Sequence, residues 1–230
     1  MMLILNNKCN LTKEEFLNYQ EELSEIETPY PIILCPTNIN IGLFASEKIE
    51  LGSQNVSKFD NGAYTGEISA ILLKSYNVKY SLVGHSERRM QQKETNQDIN
   101  EKIKKLLDNN IIPILCVGET KEERDNNQVK EVINRQLSEA TRDISQEEMK
   151  KIIIAYEPVW SIGTGEIPTR TEIEEVVNYI RGFTPNNKIV YGGSANESNI
   201  DRIKTNMIDG YLVGGLSLKP KQIQTFINKL

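Results

Sequence analysis

Histidine is almost missing from this chain: of its 230 residues only His85 carries an imidazole, so any imidazole chemistry near neutral pH has one address. Cysteine is scarce too. Cys9, Cys35 and Cys116 make an odd number without metal-ligand spacing, which excludes a disulfide scaffold and predicts small side chains in a reduced, cytoplasmic protein. One histidine and no carboxylate-histidine cluster leave no metal site to expect, and no cofactor is expected. No apolar run approaches the roughly 20 residues of a membrane span, and Leu3 to Leu5 is too short for a secretory leader. Lys and Arg number 27 against 32 Asp and Glu, a net charge of -5 that argues against a nucleic-acid partner. No linker-like stretch divides the chain, so residues 1–230 are expected to form one domain.

What the chain does have is a repeated alternation. Short apolar runs occur at Leu3 to Leu5, Ile32 to Leu34, Tyr80 to Val83, Ile112 to Val117, Ile152 to Ala155, Ile189 to Tyr191 and Tyr211 to Val213, with a weaker one at Leu51 to Val56. Between most of them lie segments of helical period with start signals: Thr12 before Glu15, Thr95 before Asp98, Thr171 before Glu174, and Pro220 in a first turn. Ile173, Val176, Val177 and Ile180 share one helical face. Eight apolar strands alternating with amphipathic helices predict a parallel sheet closed into a single (β/α)₈ barrel. At 230 residues the barrel is short, and compact crossovers are expected over Cys35 to Leu51 and Gly193 to Met207.

Chemistry in such barrels gathers at the C-terminal ends of the strands. Lys8 follows the first run, His85 the fourth and Glu157 the sixth, while glycine-rich turns follow the last three. The segments NNKCN from Asn6, LGSQNVS from Leu51, NGAYTGEIS from Asn61, LVGHSERR from Leu82, LCVGE from Leu115, AYEPVWSIGTGE from Ala155, YGGSAN from Tyr191 and DGYLVGGLSL from Asp209 stand in one order and spacing. Together they resemble the triosephosphate isomerase family nearly end to end.

That resemblance implies interconversion of dihydroxyacetone phosphate and D-glyceraldehyde 3-phosphate through an enediolate, a reaction of glycolysis and gluconeogenesis. Glu157 would be the base, with basicity raised as a closing lid desolvates it. His85 would be the electrophile, kept neutral by the N-terminus of a short helix beginning at Ser86. Lys8 would add fixed positive charge, supported by Asn6, and Glu87 would lie beside Lys8 and His85 as a buried carboxylate. Gly163, Ser194, Gly214 and Gly215 would hold the phosphate through backbone N–H groups, which reach an anion where no side chain intervenes. The stretch Pro158 to Glu166 would be a mobile lid, held closed by Tyr191 and Ser194 and open by Glu119 acting on Trp160. The segment around Thr65 would insert into a second subunit beside its Lys8 and His85, with Glu67 and Arg88 pairing across a homodimer interface.

Three positions depart from the family pattern: Asn7 stands for a tryptophan, Cys9 for a methionine, and Ser161 for a common alanine in the lid. None removes a group the reaction needs. Two alternatives share the same residues: a paralogue isomerising a four-carbon keto phosphate, and a barrel that binds a phosphosugar without turning it over.

Overall fold

The computed structural model describes residues 1–230. Eight parallel strands run around a closed barrel in chain order: β1 (Met2–Asn6), β2 (Ile32–Cys35), β3 (Glu50–Ser53), β4 (Tyr80–Val83), β5 (Ile112–Val117), β6 (Ile153–Tyr156), β7 (Ile189–Tyr191) and β8 (Gly210–Val213). Closure is made by β1 on β8, with Leu3 opposite Tyr211 and Leu5 opposite Val213. Because successive side chains point to opposite faces, each strand divides its residues between two cores. Met2, Ile4, Ile33, Leu82, Ile114, Cys116, Val190 and Leu212 fill the barrel. Leu3, Leu5, Leu34, Leu115, Ile154 and Tyr211 face outward onto the helices.

The helical layer comprises α1 (Lys13–Ser24), α2 (Ala70–Ser75), α3 (Ser86–Gln91), α4 (Asn96–Asp108), α5 (Lys121–Asp125), α6 (Val129–Ala140), α7 (Gln146–Met149), α8 (Arg170–Phe183), α9 (Ile200–Ile203) and α10 (Pro220–Ile227). Reciprocal capping boxes start α1 at Thr12 with Glu15 and α4 at Thr95 with Asp98, and Pro220 opens α10. The α8 start differs from the sequence expectation by two residues. Its cap is Thr169 with Glu172, not Thr171 with Glu174, because both pairs satisfy the motif and Thr169 alone has the extended backbone that a cap needs. The apolar face stands as expected, with Ile173, Val176, Val177 and Ile180 buried.

The two compact crossovers are real. A short 3₁₀ segment (Asn38–Leu43) replaces a full helix between β2 and β3, and the single turn of α9 serves between β7 and β8. β3 is shorter and earlier than Leu51 to Val56, since its ladder ends where Ser53 pairs with Ser81 of β4. β6 is shifted one residue, ending at Tyr156, so Glu157 is the first residue past the strand.

Candidate active site

β4 stops at Val83 and the chain turns at Gly84, whose φ of +69° leaves no room for a side chain: a Cβ would lie 2.8 Å from the Arg89 guanidinium and from Ile99. The turn delivers His85 as the N-cap of α3, with its ring accepting at Nδ1 from the Glu87 backbone N–H at 3.3 Å. Acceptance at Nδ1 leaves the ring hydrogen on Nε2. That atom faces Glu157 Oε1 at 3.4 Å.

Glu157 is 2 % exposed. Its Oε2 accepts from the Ser86 backbone N–H at 3.1 Å, the first free amide of α3, while Oε1 has no hydrogen-bond partner. One carboxylate oxygen is therefore tethered and the other is aimed, unpaired, at the imidazole. Below them Cys116 lies inside the barrel, where burial and then the Glu157 charge push its thiol well up, which keeps it inert.

Lys8 sits just past β1 with φ +52°, an uncommon conformation for a residue with a side chain. Neighbours hold it there. Its N–H donates to Asn6 Oδ1 at 3.0 Å, and its carbonyl accepts from Thr37 Oγ1 at 3.0 Å and Gln54 Nε2 at 2.8 Å. The Lys8 ammonium pairs with Glu87 Oε1 at 2.6 Å. Glu87 thus stands beside Lys8 and His85, but the expected burial is absent: its side chain is 42 % exposed. It lies on the first turn of α3 at the edge of a second, open cavity lined by Cys9, Gln54, Asn55 and Arg88, which no part of this chain covers.

One cavity of about 440 Å³ collects Asn6, Lys8, His85, Glu157, Gly163, Ser194, Gly214 and Gly215. Residues from both ends of the sequence meet in it because closure sets β8 beside β1. At Gly214 a Cβ would lie 2.9 Å from Lys8 Cε, so any side chain there would displace the lysine. At Gly163 and Gly215, which both line the cavity, a Cβ would meet nothing within 4 Å.

The expected lid begins with a 3₁₀ turn (Val159–Ser161), and its tip from Gly163 to Glu166 is exposed, with Gly163 on the rim of the cavity. Trp160 Nε1 donates to Glu119 Oε1 at 2.8 Å, and Glu119 is fully buried. Arg124, which the sequence reading did not single out, holds that carboxylate at 2.9 Å and stacks over the Trp160 ring at 4.9 Å. Ser161 was noted only as a departure, yet its hydroxyl is buried, donating to Glu166 O at 2.9 Å and accepting from the Ser194 N–H at 3.3 Å. Ser194 Oγ in turn donates to Ser161 O. Tyr191 Oη is buried without a partner, packed against Gly193.

Thr65 and Glu67 are exposed in the long connection between β3 and α2. Arg88 does not meet Glu67 within the chain; its Nε donates to Glu94 Oε2 at 2.5 Å. The sequence reading placed Ser86 at the start of α3 but missed its amide's bond to Glu157, and it missed Arg124 altogether, because a backbone amide and a five-residue spacing carry no motif. Arg124 had one legible sign, its place in the short helix that opens just after Glu119.

A model of the triosephosphate isomerase family matches residues 1–230. The triosephosphate isomerase of Mesomycoplasma hyorhinis is 42 % identical over 234 residues, covering 98 % of this chain and 94 % of that protein. The enzyme of the same name from Mycoplasmopsis pulmonis is 40 % identical, covering 95 % and 93 %, and that of Dictyoglomus thermophilum is 42 % identical, covering 93 % and 92 %.

Proposed function

This chain belongs to the triosephosphate isomerase family and is an isomerase, and from that premise we propose how its residues divide the interconversion of dihydroxyacetone phosphate and D-glyceraldehyde 3-phosphate. The observation that carries the reading is the meeting of Lys8, His85 and Glu157 in one cavity that opens onto the amides of Gly163, Ser194, Gly214 and Gly215.

Glu157 takes the proton from the carbon next to the carbonyl. The electron pair left behind forms the carbon–carbon double bond of the enediolate, and the carbonyl oxygen gains the charge. His85 Nε2–H and the Lys8 ammonium face that oxygen, with Asn6 behind them. At ~4 Å and an effective dielectric of ~20, one such ammonium contributes on the order of 4 kcal/mol. Glu157 then returns the proton to the neighbouring carbon, and the hydroxyl proton moves from one oxygen to the other. Unpaired Oε1 is the atom free to do this work. The lid excludes water while the enediolate exists, since an exposed enediolate phosphate expels phosphate instead.

The reading extends to one catalytic domain over residues 1–230 and to a cytoplasmic homodimer, with no nucleic-acid or membrane partner. Phe59, Tyr64, Ile71, Leu72 and Met90 are large exposed apolar side chains, and Met90 shares α3 with Glu87. A second copy whose Thr65 segment entered the open cavity beside Glu87 would bury that carboxylate and bring Glu67 to Arg88. Sedimentation equilibrium tests this directly, and a monomer at micromolar concentration would overturn it.

The activity is tested with kcat/KM for dihydroxyacetone phosphate and for a four-carbon keto phosphate, using Glu157→Gln as control. Efficiency approaching ~10⁸ per molar per second is expected for the three-carbon substrate. The variant should lose about 10² to 10⁴. Turnover of the longer substrate alone would identify a paralogue, and turnover of neither a binding barrel.

A further inference from the structure

We propose that Tyr19, Asn7 and Ser217 form a buried clamp that sets the phosphate cradle of Gly214 and Gly215 in register with Lys8, which makes Tyr19 and Asn7 positioning residues for the substrate dianion. The inference deepens the reading of that cradle given above and rests on it.

All three side chains are nearly sealed from solvent, at 5 %, 1 % and 0 % exposed, and none lines the cavity. Tyr19 lies on α1 and donates its hydroxyl hydrogen to Ser217 O at 2.7 Å. Ser217 lies in the 3₁₀ turn Gly215–Leu218, which continues directly from Gly214, and its hydroxyl donates to Asn6 O at 2.9 Å. The Asn7 amide supplies donors to the centre of the cluster, within 3.3 Å of Ser217 Oγ and 3.4 Å of both Ser217 O and Tyr19 Oη. Every one of those neighbours is an acceptor at that contact, so the amide has one workable orientation.

The cluster joins two parts of the chain 210 residues apart. On one side are Asn6 and Lys8, and Asn7 sits between them. On the other is the turn that carries Gly214 and Gly215. Within the cavity the same two parts touch again, where Lys8 Cε lies against Gly214. The clamp therefore fixes from behind the spacing between the ammonium and the two amides that the phosphate would meet in front.

Asn7 argues for this role by its cost. Its Oδ1 is buried with no hydrogen-bond partner. A buried orphan acceptor is destabilising, and an apolar side chain of similar volume would fill the place without that penalty. Packing alone does not account for an amide here; the need for donors to Ser217 does.

The test uses the full-length protein with Tyr19→Phe, which keeps the ring against Phe16, and Asn7→Leu. Thermal melts establish that each variant folds. Three quantities are then compared with the unsubstituted protein: the inhibition constant of inorganic phosphate, KM for dihydroxyacetone phosphate, and turnover of glyceraldehyde lacking phosphate. We expect the phosphate inhibition constant and KM to rise about three- to tenfold while glyceraldehyde turnover stays within twofold. Equal loss with both substrates, or unchanged phosphate inhibition in both folded variants, would overturn the clamp. If inorganic phosphate fails to compete in the unsubstituted protein, the cradle itself has been misread.

Discussion

With Trp160 held against Glu119, as it is when the proposed lid is open, the Ser194 N–H is already spent. It donates to Ser161 Oγ at 3.3 Å, and the same amide borders the cavity in which the phosphate would sit. Substrate binding and lid closure therefore compete with Ser161 for one donor. Ser161→Ala removes the competitor. The second bond of the hydroxyl, to Glu166 O, lies inside the lid and travels with it, so it drops out of the balance. What remains is one neutral hydrogen bond, about 0.5 to 1.5 kcal/mol, present only in the open form. That shifts the closed-to-open ratio upward by roughly two- to twelvefold, and where the closed form is the minor one, affinity for a ligand that requires closure rises by the same factor. The assay is built into the chain. Trp160 is its only tryptophan and sits in the lid against Glu119 and Arg124, so its fluorescence reports departure from that contact. Titration with 2-phosphoglycolate, which carries a phosphate and a carboxylate in place of the enediolate, should saturate at lower concentration in Ser161→Ala. Slower dissociation should accompany it. Identical or weaker binding in a variant with an unchanged melting temperature would refute the competition.

Other expectations test the frame around the site. A Cβ on Gly192 would lie 2.8 Å from Glu157 Cγ, so Gly192→Ala should displace the carboxylate and lower kcat by about 10- to 100-fold, with inorganic phosphate inhibition unchanged. Lys58 and then the Thr95 hydroxyl hold the Asp98 carboxyl down at about 2, below its ordinary 3.8. A depressed carboxyl stabilises the fold above its unfolded value and loses that effect as pH falls through the folded one. Asp98→Asn should therefore cost about 1 to 2 kcal/mol at pH 7 after allowing for solvent screening, and the gap should close between about pH 4 and pH 2 in urea melts. Ile103 is fully buried between α4 and the barrel, and Ile103→Ala should cost about 2 to 5 kcal/mol in chemical denaturation without altering KM.

The barrel was legible because its signals are local. Continuous apolar runs mark strands buried on both faces, and the Thr–Glu and Thr–Asp pairs at α1 and α4 carry their own capping chemistry within four residues. The displaced start of α8 shows where that legibility ends, for two overlapping pairs fit the same motif and only backbone conformation chose between them. Glu87 shows a second limit. Its neighbours Lys8 and His85 were anticipated, but burial is a property of everything that packs around a residue, and in one chain nothing covers that side.

What the sequence determined on its own was therefore the alternation of eight strands with helices and the delivery of Lys8, His85 and Glu157 to strand ends, since each depends on residues within a few positions. Only the tertiary structure decided that Glu157 is tethered to Ser86, that Ser161 occupies the Ser194 amide, and that Asn7 reaches Ser217 across 210 residues. Those are hydrogen bonds, made or lost within a few tenths of an ångström, and that spacing exists only once the strands are paired around the barrel, the Asn7 contact only once β8 closes on β1.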